Sequence, residues 1–235
     1  MAMDKVRYEL RDGVAVVTMD DGKVNALSHE VIDALHACLE RAEHEAHAVL
    51  LTGREKRLSA GFDLTVMVSS PEATRNLVTA GAELMLRLYT FPRPVVVACT
   101  GHALAAGAIL LLVADTRVGA EGEFKIGLNE VAIQMTLPSF AMELARDRLS
   151  KRHFSAAVTQ ARIFDPVSAK DAGYLDVTAK PAVLFETALD YARRLSALPD
   201  PAFRDTKRRE RAATVRLIRE TLAADIAQLT NLPGH

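Results

Sequence analysis

The sequence is short of residues that cross-link or span. Cys38 and Cys99 are the only cysteines among 235 residues. Both sit in apolar patterns, which reads as two buried free thiols and not a disulfide. No apolar run reaches the roughly 18 residues that a membrane span requires. The longest, Ala103 to Ala114, has 12 residues including one glycine and suits a buried core helix. Neither sign of charge is in excess: 29 Lys and Arg stand against 30 Asp and Glu, a net charge of -1. The basic field that general nucleic-acid binding needs is therefore missing. No repeat with a period of 20–50 residues and no low-complexity segment occurs. The opening MAMDKVRYEL lacks the apolar centre of a signal peptide. These absences lead to the expectation of a cytoplasmic protein with no nucleic-acid and no membrane partner.

What is present is an ordinary globular composition, 49% apolar and 25% charged. The length suits one large domain or two small ones. Two β-rich runs, Val6–Leu10 and Val14–Met19, flank Arg11-Asp12-Gly13, a hairpin signal. Ser28 reads as an N-cap. Behind it Val31, Leu35, Cys38, Leu39 and Ala42 fall on one helical face. Ala48–Thr52 and Val95–Cys99 read as buried strands, with a helix over 72–90 between them, stopped by Phe91-Pro92-Arg93-Pro94. A helix follows over about Ala106 to Val113, then a short strand at Arg117–Gly119. Such alternation predicts an α/β layered core with a mainly parallel sheet. Residues 138–197 read as helical, broken at Asp165-Pro166, Gly173 and Lys180-Pro181. Leu198-Pro199-Asp200-Pro201 reads as a linker, and Thr206–Thr230 as one long helix. The division expected is a core over 1–197 and a helical extension over 198–235.

Three segments carry candidate chemistry. Leu58-Ser59-Ala60-Gly61-Phe62-Asp63-Leu64 follows the first buried strand, and Gly101-His102-Ala103-Leu104-Ala105-Ala106-Gly107 follows the second. Both read as small-residue turns at the carboxyl ends of parallel strands, where α/β proteins place ligands. The helix behind the second turn brings free N–H groups and a positive dipole end to the same crevice. Two backbone N–H groups converging there would stabilise an oxyanion. The third segment is Phe124-Lys125-Ile126-Gly127-Leu128-Asn129-Glu130, in which Glu130 precedes apolar Val131-Ala132-Ile133. A buried carboxylate there would have a raised pKa, which suits a general base or acid.

In this order, SAGFDL, GHALAAG, Ala114-Asp115-Thr116-Arg117, GLNE and Ala172-Gly173 with Asp176-Val177 resemble the crotonase, or enoyl-CoA hydratase/isomerase, superfamily over nearly the whole chain. The resemblance implies a spiral of ββα repeats with a helical C-terminal trimerisation region. It also implies homotrimers or dimers of trimers, and an acyl-CoA thioester substrate. No cofactor is implied, because CoA is part of the substrate. The thioester oxygen would be held by the N–H groups of Phe62 and Ala106, with Glu130 as the catalytic carboxylate. Ala60, Gly61, Asp63, Leu64, Gly107, Ile109 and Gln134 would line the substrate.

Hydratases of the family carry a second glutamate at the position of Ile109. Its absence here resembles the single-glutamate Δ3,Δ2-enoyl-CoA isomerases. The expected reaction is a shift of 3-enoyl-CoA to trans-2-enoyl-CoA. Hydration of trans-2-enoyl-CoA, and acyl-CoA binding with little catalysis, are the alternatives. Gln134–Pro138 contains no aspartate nucleophile, against a dehalogenase, and Gln134 departs from the usual glycine. Ser59 has no evident histidine partner. His29, His36, His44 and His47 read as a solvated helix face, and no metal site is expected. Arg54, Lys56 and Arg57 read as a solvated loop or as contacts for CoA phosphates. The basic run at Lys207, Arg208, Arg209 and Arg211 has the same two readings. Val215, Ile218, Leu222 and Ile226 give the last helix an apolar stripe available for an oligomer.

Overall fold

The structure is a computed structural model and describes residues 5–229. The first four residues of the polar N-terminal segment and Thr230, the expected end of the last helix, lie outside the described residues. Strand β1 (Val6–Arg11) turns into β2 (Val14–Met19) through Asp12 and Gly13, both at positive φ, as the Asp-Gly signal predicts. β3 (Ala26–Leu27) leads into α1 (His29–Glu45), where the Ser28 side chain accepts from the Val31 amide at 3.3 Å. Val31, Leu35, Leu39 and Ala42 are buried on its inner face, while Cys38 is only half-buried.

The next turn of chain holds β4 (Ala48–Thr52), β5 (Lys56–Ser59), β6 (Gly61–Phe62), the short α2 (Leu64–Met67) and α3 (Pro71–Tyr89). It is followed by β7 (Val95–Cys99), β8 (Gly101–Leu104) and α4 (Ala106–Leu112). Then come β9 (Thr116–Ala120), β10 (Ile126–Gly127), a 3₁₀ turn at Val131–Ile133 and α5 (Ser139–Arg148). The chain closes with α6 (Lys151–Val158), α7 (Pro166–Ala172), β11 (Val177–Ala179), α8 (Pro181–Ser196) and α9 (Asp200–Gln228).

Each ββα turn gives one strand to a large sheet and one to a smaller layer. The large sheet has the order β1-β2-β4-β7-β9-β11, parallel except for the β1–β2 hairpin. One face, with Val17, Val49, Leu51 and Val97, packs on α1, α3 and α4. The other, with Val16, Leu50, Val96 and Val118, is covered by Leu184, Ala188, Leu189 and Ala192 of α8. Burial on both faces explains why β4 and β7 read as unbroken apolar runs.

Four readings need correction. The two small-residue turns are strands: β5, β8 and β10 form a parallel three-stranded sheet. Strands of two to four residues rich in Gly, Ala and Ser carry no alternation to reveal them. The stretch 138–197 has a further break at Leu149-Ser150 and contains β11. The second half of the expected linker, Asp200-Pro201, is the start of α9, with Pro199 as its N-cap and Pro201 in the first turn, where a missing amide costs nothing. Last, the apolar stripe of α9 is covered by the chain itself: Ile218, Leu222 and Ile226 are buried and Val215 packs on the same core, where α9 meets α3 and α5. The stripe is no ground for an oligomer.

Candidate active site

Ser59 of β5 and Ile126 of β10 are both in register with Ala103 of the central strand β8. Counting forward from this row, Phe62 lies three residues past Ser59, Ala106 three past Ala103, and Glu130 four past Ile126. Three parallel strands thus deliver the three expected catalytic residues to one end of the small sheet, with Ala106 in the middle.

Local geometry then points the amides. Asp63 donates its backbone N–H to the Leu27 carbonyl across the β3–β6 pair at 3.2 Å. Successive amides of an extended chain point to opposite edges, so that of Phe62 points away from β3. Gly61 has φ +101, and a Cβ there would stand 2.9 Å from the Ala105 Cβ and 3.3 Å from the Ala106 nitrogen. Only glycine fits between the two segments. A Cβ on Gly107 would meet the Ser59 carbonyl oxygen at 2.2 Å, which explains the second glycine. Ala105 has φ 50 and ψ -126, a conformation that costs a non-glycine residue on the order of 1–3 kcal/mol. It is held there by its N–H on the Gly127 carbonyl at 3.1 Å and by its carbonyl, which accepts from Ala108 and Ile109. The Ala106 amide that follows is the first of α4 and has no intrahelical acceptor.

Glu130 is buried, 7% exposed, and its Oε2 has no hydrogen-bond partner among the described residues. Burial raises its pKa from 4.5 to about 7, against weaker lowering by the amides of Glu130 and Asn129. A carboxyl group poised near neutrality can both accept and return a proton. Ile109 is buried in α4, all seven residues of which are buried. Gln134 closes the 3₁₀ turn in a left-handed conformation at φ 63 and is exposed.

Ala60, Phe62, Asp63 and Leu64 line a cleft of about 390 Å³ together with Lys23 and Val24; Glu130, Gly107, Ile109 and Gln134 are not among its lining residues. Asp63 caps α2 by accepting from the Thr65 amide at 2.9 Å. A second hollow of about 240 Å³ shares Val24 and Ala60 and adds Arg57, His102 and Lys125. His102 is held below its usual pKa by burial and by the neighbouring Arg57 and Lys125. Of the basic loop, Arg57 faces this groove, whereas Arg54 is tied to the Lys23 carbonyl at 2.7 Å and to Asp20.

Other candidates prove to be scaffold. Ser59 Oγ donates to the Asn25 carbonyl at 2.6 Å and accepts from the Gly61 amide, so it holds the turn. Asn25, which the sequence did not flag, is buried and donates from Nδ2 to the carbonyls of Met19 and Leu58. The available signal was its place after the turn-forming Asp20-Asp21-Gly22, since asparagine is among the residues that most readily take a positive φ, here 54. Lys207 and Arg211, read as solvated or phosphate-binding, are buried. They donate to Asp115 at 2.6 and 2.8 Å, while Arg208 and Arg209 are exposed. No cluster of three or more potential metal ligands occurs among the described residues. No helix among them is long and apolar enough to cross a membrane.

Strand–strand–helix turns wound around a large sheet and a small one, with a carboxylate and two backbone amides at the end of the small one, define a crotonase fold. The family model for enoyl-CoA hydratase/isomerase matches residues 9–235, and the chain belongs to that family of enzymes. An enoyl-CoA hydratase/isomerase family protein of Pseudomonas syringae is 46% identical, with a TM-score of 0.91 and 97% of each chain covered. The human mitochondrial Δ3-Δ2-enoyl-CoA isomerase is 31% identical with a TM-score of 0.91, covering 96% of this chain and 90% of its own. A Mycobacterium tuberculosis protein, 39% identical with a TM-score of 0.90 over 96% of this chain and 97% of its own, is named an enoyl-CoA isomerase. A second structure of the same protein names it a probable enoyl-CoA hydratase.

Proposed function

We propose that the chain shifts the double bond of 3-enoyl-CoA to give trans-2-enoyl-CoA. The observation that carries this reading is the buried carboxylate of Glu130, its Oε2 without a partner among the described residues, with Ile109 where a family hydratase has its second glutamate. An allylic shift needs one proton carrier. Glu130 takes a proton from C2, the electrons of that bond pass toward the thioester oxygen, and an enolate forms. As the carbonyl re-forms, the double bond moves from C3–C4 to C2–C3, and the protonated Glu130 delivers its proton to C4. The N–H groups of Phe62 and Ala106 act as donors to the enolate oxygen. Neither needs a charged side chain, and the dipole of α4 adds to Ala106. Adding water at C3 would require a second group to orient and deprotonate it, and an isoleucine side chain can do neither.

Ala60, Gly61, Asp63 and Leu64 serve the CoA end of the cleft in this reading. Gly107, Ile109 and Gln134 serve the acyl end. Lys23, Arg57 and Lys125 suit the phosphates of CoA as charge-assisted donors. The reaction uses no metal and no cofactor. Hydratase activity is the second reading, favoured by the hydratase name that one relative bears alongside isomerase. Incubation with 3-enoyl-CoA and, separately, with trans-2-enoyl-CoA tests both. Conversion of the first without hydration of the second supports isomerisation. Hydration at about 1–1,000 s⁻¹, the usual enzyme range, would reverse the assignment. Tight binding without turnover of either would reduce the chain to an acyl-CoA binder.

A further inference from the structure

Glycine inside a helix costs about 1 kcal/mol against alanine. Gly81 nevertheless stands well inside α3, buried and on ordinary helical backbone. The neighbouring strand supplies the reason. A Cβ at Gly81 would stand 2.2 Å from Cε1 and 2.4 Å from Cζ of Phe62. The missing side chain leaves a slot in α3, and the far edge of the Phe62 ring fills it. The half-buried ring thus reaches from the cleft it lines to the apolar core. Phe62 needs such an anchor. Its strand, β6, has two residues and pairs only with β3 among the described residues. Gly61, just before it, adds backbone freedom. α3 is the firmer body: it packs on α1, α4 and α9, and it holds α2 through Thr74, whose hydroxyl donates to the Met67 carbonyl at 2.7 Å.

We infer that Gly81 is a positioning residue for the oxyanion donor: the slot it leaves seats the Phe62 ring and so holds the Phe62 amide beside that of Ala106. The inference rests on the donor role proposed above for the Phe62 amide. That amide is a backbone group, so the chemistry itself does not ask for phenylalanine at this position. The side chain is there to be held. A donor is worth most when it is already aimed at the oxygen that gains charge, and a displacement of about 1 Å costs on the order of 100-fold in rate. A ring seated in a close-packed helix face resists such movement. Gly81→Ala would push the ring toward the cleft, its open side, and take the short strand with it.

The test uses bound butanoyl-CoA, saturated and so unreactive, with carbon-13 in the thioester carbonyl. Its infrared band moves to lower frequency as the two amides polarise the carbonyl. Turnover of 3-enoyl-CoA is read at saturation, so that weaker binding does not enter. Gly81→Ala should lose much of the band shift and lower kcat about 10- to 100-fold. Adding Phe62→Leu, which keeps the amide and ends short of the far ring edge, should restore most of both. An unmoved band in Gly81→Ala, a rise in KM alone, or a loss that Phe62→Leu does not repair overturns the inference. Should Gly81→Ala not fold, Phe62→Ala in the unaltered helix empties the slot and keeps the amide. The band should then move back toward its position in free butanoyl-CoA, and an unmoved band overturns the inference. A shift lost in Gly81→Ala and regained in the double variant, in a protein unable to turn over 3-enoyl-CoA, upholds the positioning role and overturns the proposed reaction instead. A wild type with no shift overturns the donor role of Phe62 and the inference with it.

Discussion

At Glu130 one physical cause has two measurable consequences. The buried carboxyl group titrates at about 7 and not at 4.5 because water is kept from its charged form. In the proposed reaction the base is the ionised form of Glu130, so kcat should fall as the pH drops through about 7. Glu130→Gln keeps the shape but not the base. It should lower kcat by roughly 100- to 10,000-fold with little change in acyl-CoA binding. Stability should move the other way. Below 4.5 the carboxyl is protonated in folded and unfolded chain alike, and burial costs nothing extra. As the pH rises from 4.5 to about 7 the unfolded chain ionises first, and stability is lost. Above that the penalty is complete, on the order of 1–3 kcal/mol. Glu130→Gln should therefore melt higher than wild type at pH 8 and alike at pH 4. A melting difference equal at both pH values would mean that Glu130 is not buried as a titrating acid.

The elements of the large sheet were legible because periodicity and caps act locally. The Asp12-Gly13 turn, the Ser28 cap and the apolar runs of β4 and β7 each carry their own signal within a few residues. The small sheet was not legible. β5, β8 and β10 are strands only because they pair with one another across more than twenty residues of intervening chain, and their register is invisible in any window. The candidate residues were nonetheless found, since the glycines that permit the close approach stand out: Gly61 beside Ala106 and Gly107 against Ser59. α4 offers the test at this scale. Ile109→Glu would restore the second carboxylate that hydration requires, on a helix already fixed by Ala105 and Gly107. Hydration of trans-2-enoyl-CoA should rise at least roughly tenfold, the scale of a general-base contribution being larger still. The variant should also melt lower, because a charge enters a wholly buried helix. A wild-type enzyme that already hydrates well, or a folded variant with no gain, would show that position 109 does not face the reacting carbons.

Over the whole molecule, the motif Ala114-Asp115-Thr116-Arg117 belongs to assembly. Arg117 is buried and binds Asp176 through its guanidinium at 2.6 and 2.8 Å, joining β9 to the segment before β11. Asp115 accepts from the Val95 amide at 2.7 Å, from Lys207 at 2.6 Å and from Arg211 at 2.8 Å. One carboxylate thus ties β7 and β9 to α9. Burial draws Lys207 down to about 8 even with that carboxylate beside it. Sequence reading could not see this, because a basic run at the start of a helix looks the same whether it meets solvent or an acid 92 residues earlier. The position of residue 198 as a boundary between core and extension can be tested through the same contact. Asp115→Asn keeps the size of the side chain but leaves two buried cations without their counter-charge. Removing one partner of a buried ion pair typically costs about 3–5 kcal/mol. If α9 is an integral layer of the core, that loss should appear as a lower melting temperature with a single cooperative transition, identical by helical circular dichroism and by tyrosine absorbance. A separate early transition of helical signal alone, with the β-sheet signal intact, would mean that α9 is an appendage which the rest of the fold can do without.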